Sequence, residues 1–173
     1  MKKLMWAAVA LSFLAVTSQA QDTPKADVAV GYSFLHATGA NLNGFNGSVA
    51  FNVSSVVGIV GDIGYYHGSP SGTSINASSY TFGPRFSYRK MDRAVPFFEA
   101  LFGGSHVSAA FGGFSGSVNP FAYAFGGGVD LGISHSGKVG LRPEYDYIGL
   151  RSNGATLNTQ RLSVGIVFHI GSK

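Results

Sequence analysis

The sequence predicts an all-β fold, an eight-stranded antiparallel up-and-down transmembrane β-barrel. Three observations predict it: charge is scarce, bulky apolar residues alternate with small ones along almost the whole chain, and the connections alternate in length. Of 173 residues, 12 are Lys or Arg and 8 are Asp or Glu, so 12% are charged, against roughly 25% in a typical soluble domain. Yet 45% are hydrophobic, and 25 Gly and 14 Phe are present. So few charges do not coat a surface that faces water. So much apolar content excludes a disordered chain. A helical membrane protein needs runs of about 18 or more apolar residues, and past the N-terminus there are none.

The first element is an export signal. Lys2 and Lys3 precede an apolar stretch at 4–16, interrupted only by Ser12, and Ser18-Gln19-Ala20 fits the small-x-small cleavage rule. Residues 1–20 are therefore expected to be removed, leaving 21–173 as one barrel domain. Lys2 and Lys3 leave with the signal, so 10 basic residues remain against the same 8 acidic ones, and the net charge falls from +4 to +2. No basic stripe suggests nucleic acid. The chain has no Cys, which excludes disulfides and anchoring through an acylated Cys.

Eight strands follow, at about 28–35, 45–53, 57–66, 78–88, 95–105, 119–131, 138–148 and 159–170. Each is near the roughly 9–11 residues that a tilted strand needs to cross a bilayer. In the first, Val28, Val30, Tyr32 and Phe34 alternate with Ala29, Gly31 and Ser33. In the sixth, Phe121, Tyr123, Phe125, Val129 and Leu131 alternate with Ala122, Ala124, Gly126, Gly128 and Asp130. A soluble secreted barrel, the architectural alternative, would turn the bulky face inward and coat the other with Lys and Glu. Here the second face is Gly, Ala, Ser, Thr and Asn, which suits a narrow lumen, so the bulky face points into lipid.

The connections 36–44, 67–77, 106–118 and 149–158 are long, and 54–56, 89–94 and 132–137 are short. Outer-membrane barrels have long extracellular loops and short periplasmic turns, so both termini are expected in the periplasm. Aromatics such as Tyr32, Phe45, Tyr65, Tyr80, Phe82, Phe102, Phe121, Tyr123, Tyr145 and Tyr147 gather toward the extracellular strand ends. They suit an interfacial girdle, where a ring is buried and a hydroxyl stays wet. Pro84 and Pro143 oppose this register, since each lacks a ladder N–H and a closed barrel has no edge. A bulge or a missing ladder bond is expected at each.

The small-residue face collects Asp62, Arg85, Glu99, Asp130, Arg142, Glu144, Asp146, Arg161 and His169. Charges in a narrow lumen must pair or stay hydrated, and the planar fork of Arg can hold two carboxylates. Two readings follow: a salt-bridge network that plugs the lumen, and an ion path. Eight strands leave just enough interior for side chains, which favours the plug.

On the stretches 56–66 (VVGIVGDIGYY), 80–88 (YTFGPRFSY), 96–104 (PFFEALFGG), 139–147 (VGLRPEYDY) and 161–168 (RLSVGIVF), the chain resembles the small eight-stranded bacterial outer-membrane barrels. These are the OmpA transmembrane domain-like, opacity-like and Ail/OmpX-like porin-family proteins. The resemblance covers the mature chain and implies an outer-membrane location, surrounding outer-membrane lipid and handling by the barrel-assembly machinery. Members usually end on an aromatic that this machinery reads. Here Phe168 lies inward of His169-Ile170-Gly171-Ser172-Lys173, which displaces that signal. No periplasmic domain is expected to follow.

The same resemblance raises lipid-modifying barrels such as lipid A deacylases, which use a Ser-His-acid set facing lipid. Two His-x-Ser spacings occur, His67-Gly68-Ser69 and His106-Val107-Ser108. A triad needs a base oriented by a third group, and neither has an acid nearby on its face. No catalytic residue is expected. His36, His67, His106, His135 and His169 are scattered without paired ligand spacing, so neither a metal nor a cofactor is expected. Gly126-Gly127-Gly128 lacks the strand–helix context of a phosphate loop and reads as a bend in a strand. The loops at 67–77 and 106–118 are Ser- and Gly-rich, and the second carries Phe111 and Phe114. Specific activity belongs in such loops. The sequence thus predicts a monomeric, non-enzymatic barrel with a plugged lumen, serving envelope integrity or contact with a surface ligand through its loops. A small-solute channel is the second reading.

Overall fold

The computed structural model describes residues 23–37, 39–91, 93–134 and 136–171. The expected export signal and His135 lie outside the described residues. Among the described residues nine strands run in order: β1 (Ala26–Ala37), β2 (Ala40–Asn52), β3 (Val57–Gly68), β4 (Ser74–Ser87), β5 (Ala94–Phe111), β6 (Phe114–Val118), β7 (Phe121–Gly132), β8 (Val139–Ser152) and β9 (Ala155–Ile170). Every pairing is antiparallel. β1 pairs with both β2 and β9, and β5 pairs with both β4 and β7, so eight strands close on themselves. Closure removes every long unpaired edge. β6 is not a ninth stave; it pairs only with the far end of β5.

The alternation sorts as the composition requires. Val30, Tyr32, Phe45, Phe51, Ile59, Ile63, Phe82, Phe98, Leu162 and Phe168 are exposed on the outer wall. Ala29, Ser33, Ser48, Ala50, Val60, Ala122, Ala124, Ser163 and Val167 are buried in the lumen. The outer wall presents apolar side chains and no described acid. Such a surface is stable only against lipid. The aromatic band is interlocked with glycine: Tyr80 faces Gly104 and Tyr123 faces Gly149 across neighbouring strands, each ring filling the space where a Cβ would stand.

The long connections are corrected. Residues 36–44 and 149–158 are mostly strand, because β1 and β2 extend past the wall and β8 and β9 continue to Asn153-Gly154. Those two have φ of 49° and 81°, the left-handed pair of a two-residue hairpin turn. The segment 106–118 is likewise a hairpin, β5 to β6, turned at Gly112-Gly113 and pairing Phe111 with Phe114 at its tip. Among the described residues of the long connections, 69–73, with a 3-10 turn at Pro70–Gly72, is the irregular stretch. The asymmetry between the two ends is therefore one of strand reach.

The prolines behave as expected. Along β4–β5 the pairing passes from Phe82↔Phe102 to Arg85↔Glu99 and omits Pro84. Along β7–β8 it passes from Gly128↔Glu144 to Leu131↔Leu141 and omits Pro143. The register does not slip at either gap, so each proline costs ladder bonds without a bulge. On their other sides Pro84 faces Ile59 and Pro143 faces Val164 in unbroken ladders.

Candidate functional site

Period-two geometry sends alternate residues of each strand into the lumen, and there the structure places Asp62, Arg85, Glu99, Asp130, Arg142, Glu144, Asp146 and Arg161, all buried. They form three groups. Arg161 on β9 is the hub: Nε donates to Asp146 Oδ2 (2.8 Å), Nη1 to Asp62 Oδ1 (2.7 Å) and Nη2 to Glu144 Oε1 (3.0 Å). Tyr66 adds its hydroxyl at 3.3 Å. One guanidinium thus spans the lumen from β9 to β8 and β3, using the fork that Lys lacks.

In the second group, Arg85 on β4 donates from Nε to Glu99 Oε2 at 2.7 Å, directly across the β4–β5 pair. In the third, Arg142 on β8 grips Asp130 through Nε (2.5 Å) and Nη2 (2.8 Å), and reaches Ser48 at 3.3 Å. Phe97 lies between these two arginines, with the Arg85 and Arg142 guanidinium carbons 4.3 and 4.8 Å from its ring centroid. Each contact is worth about 2 kcal/mol when desolvated.

His169 does not join these groups. It pairs with Asp27 at 2.6 Å across the β1–β9 seam, and Arg89 Nη2 reaches the same carboxylate at 2.8 Å. Asn52 completes this cluster. Reading the sequence missed Asp27 and Arg89. Asp27 shares the parity of Ala29 and Ser33 and was legible had the first strand begun two residues earlier. Arg89 sits in a turn, where parity says nothing. A lid was missed too. Leu35, Leu42, Ala50, Val60, Tyr66, Ala77, Leu101, Ala124 and Ile148 form one buried apolar cluster, most of it toward the hairpin end of the lumen.

Among the described residues the lumen is filled by two materials, apolar side chains, mostly toward the hairpin end, and ion pairs. Arg161, Glu99 and Asp146 are each at most 1% exposed. An ion path would need a continuous column of water past them. In planar bilayers we expect no steady, large conductance from the wild-type chain; a long-lived open level of nanosiemens size would overturn the seal.

The two His-x-Ser spacings lie at the hairpin end, with His67 and His106 exposed. His67 Nδ1 lies 2.8 Å from Asn76 Oδ1 and His106 Nδ1 lies 2.7 Å from Asn119 Oδ1. His36 and Asn41 repeat the pair at 2.7 Å. The group orienting each imidazole is a neutral amide. The described acidic side chains, Asp27, Asp62, Glu99, Asp130, Glu144 and Asp146, are all buried inside the barrel. None is placed to complete a Ser-His-acid set on the outer wall.

The basic residues outside the lumen gather at the opposite end. Lys25 precedes β1, Arg89, Lys90 and Arg93 lie in the turn before β5, and Lys138 precedes β8. The hairpin end is nearly free of charge, with Arg151 its one described cation.

Comparison with known proteins agrees with this architecture. Residues 6–169 match the model of the outer membrane protein beta-barrel domain. Among solved structures, Neisserial surface protein A superposes with a TM-score of 0.65 at 15% identity, covering 84% of this chain and 96% of that one. Ail, the attachment invasion locus protein of Yersinia pestis, gives 0.58 at 19%, covering 84% and 99%. The N-terminal β-barrel domain of Pseudomonas aeruginosa OprF gives 0.57 at 14%, covering 84% and 98%. A search of curated proteins finds no match. With a family match spanning nearly the whole chain and a closed eight-stranded barrel beneath it, the chain belongs to the outer membrane β-barrel protein family.

Proposed function

We propose that the chain is exported through its N-terminal signal, loses residues 1–20, and stands in the bacterial outer membrane as a non-enzymatic, monomeric surface-contact protein. Both termini and the basic turns face the periplasm in this reading, and the extended hairpins face outward. One observation carries it. The β5–β6 hairpin projects beyond the wall and ends in Phe111 and Phe114, with Phe114 84% exposed. Two aromatic rings held on a paired ribbon, clear of the lipid-facing strands, are poor for solubility and good for contact. The near absence of charge at this end favours an apolar or neutral partner surface over an anionic one. Ail, similar in fold, is an attachment invasion locus protein, which fits such a role.

The test is attachment of cells that express the chain. Wild-type cells are compared with a Phe111→Ser/Phe114→Ser variant on polystyrene and on epithelial monolayers. Equal barrel levels are verified by heat-modified migration. Adherence is expected to fall several-fold in the variant and to resist added salt, since the contact is apolar. Equal adherence at equal barrel levels would leave the hairpin without this role.

A further inference from the structure

The luminal charges do not balance. In the middle of the lumen four carboxylates, Asp62, Glu99, Glu144 and Asp146, face two guanidinium groups, Arg85 and Arg161. Arg142 is committed to Asp130. No lysine lies in any membrane-spanning strand. Two negative charges are left over in a space that solvent does not reach, and an uncompensated buried carboxylate costs several kcal/mol. The excess has to be neutralised, by a bound cation or by protons.

The unsatisfied atoms say where. Glu99 Oε2 is held by Arg85 and Asp146 Oδ2 by Arg161. Their other oxygens, Glu99 Oε1 and Asp146 Oδ1, are buried with no hydrogen-bond partner, as are Asp62 Oδ2 and both terminal nitrogens of Arg85. Carboxylate oxygens from Glu99, Glu144 and Asp146 lie within 4.8 Å of one another. Oxygens this close can share one ion at the Ca²⁺ distance of about 2.3–2.6 Å. An all-oxygen donor set also disfavours zinc and copper. Gly126 lets Asp146 Oδ1 pack against the β7 backbone, where a Cβ would strike it.

We propose that Glu99, Glu144 and Asp146 hold one hard divalent cation of Ca²⁺ size in the sealed lumen, with Arg85 and Arg161 bracing the carboxylates from outside. The ion neutralises the excess charge and staples β5 to β8, two strands separated by β7. The lid and the ion pairs enclose it, so it is captured as the barrel closes and exchanges slowly afterwards.

The experiment refolds full-length mature protein from urea into detergent micelles, with either millimolar CaCl₂ or EDTA, and then passes it over chelating resin. Elemental analysis gives calcium per chain, and heat-modified migration gives the folded fraction. Wild type refolded with CaCl₂ is expected to retain about one Ca²⁺ per folded chain, and EDTA is expected to lower its refolding yield several-fold. Glu99→Gln/Asp146→Asn removes both excess charges while keeping side-chain shape. It is expected to retain no calcium and to refold equally with and without EDTA. Folded wild type without calcium above the resin blank would overturn the site, whatever the variant does. That result would mean that the carboxylates shed their excess charge by sharing protons. Equal calcium in wild type and folded variant would overturn it as well.

Discussion

Arg161→Met is expected to abolish the compact, heat-modifiable form of the barrel. The substitution keeps length and apolar bulk but removes every donor. Asp62, Glu144 and Asp146 each lose a bond of 2.7–3.0 Å. Removing one partner of a single buried ion pair costs about 3–5 kcal/mol, and here one deletion strands three carboxylates. A small domain has only about 5–15 kcal/mol in total. Arg142→Met is the informative comparison, since Arg142 holds a single carboxylate, and that variant should still fold with a lowered midpoint. Urea titrations of both in the same micelle give the ordering. Arg161→Met folding within about 1 kcal/mol of wild type would show that the network contributes little.

Much of this hub was legible in the sequence. Asp62, Arg85, Glu99, Asp130, Arg142, Glu144, Asp146 and Arg161 all fall on the small-residue parity of their strands, and parity is fixed by the pleat once a strand is recognised. The wall was legible for the same reason, and the gaps at Pro84 and Pro143 follow from a missing N–H alone. What parity cannot give is shear. Which acid meets which arginine depends on how far each strand slides past its neighbour before the barrel closes. Arg161 reaches Asp62 across 99 positions of sequence, a pairing that no local pattern encodes.

The hairpins were hidden for a different reason. Residues 106–118 are mostly Ser, Gly and Ala, weak strand formers that read as loop. They pair because β4 and β5 already run side by side and the Gly112-Gly113 turn folds the chain back in register. The lid was overlooked because Leu35 and Ile148 sit at luminal parity but look like lipid-facing residues, and Leu42 fell in a stretch read as a connection. Near the hairpin end the lumen no longer needs polar filling, and apolar side chains close it more cheaply than ion pairs.

The closing seam gives the second large effect. Gly165→Val is expected to prevent closure, although intrinsic preference favours Val over Gly in a strand. Gly165 on β9 stands directly opposite Gly31 on β1. A Cβ on Gly165 would lie 2.9 Å from the Gly31 Cα and 3.0 Å from the Val30 carbonyl carbon. A Cβ on Gly31 would meet Val164 O at 2.9 Å and the Gly165 Cα at 3.0 Å. These neighbours are backbone and cannot turn aside, so relief requires β1 and β9 to part. Overpacking alone costs about 1–3 kcal/mol, and each ladder bond lost without a substitute adds about 1–3 kcal/mol. Gly61→Val is the control. It lies on the outer wall of β3, where an added Cβ meets nothing within 4 Å, and it should fold as well as wild type or better. Measured side by side, the pair separates two explanations of the glycine content. If Gly165→Val folds as readily as Gly61→Val, glycine at the seam serves no steric purpose. If it alone fails, the barrel closes by backbone contact that only a residue without a side chain permits.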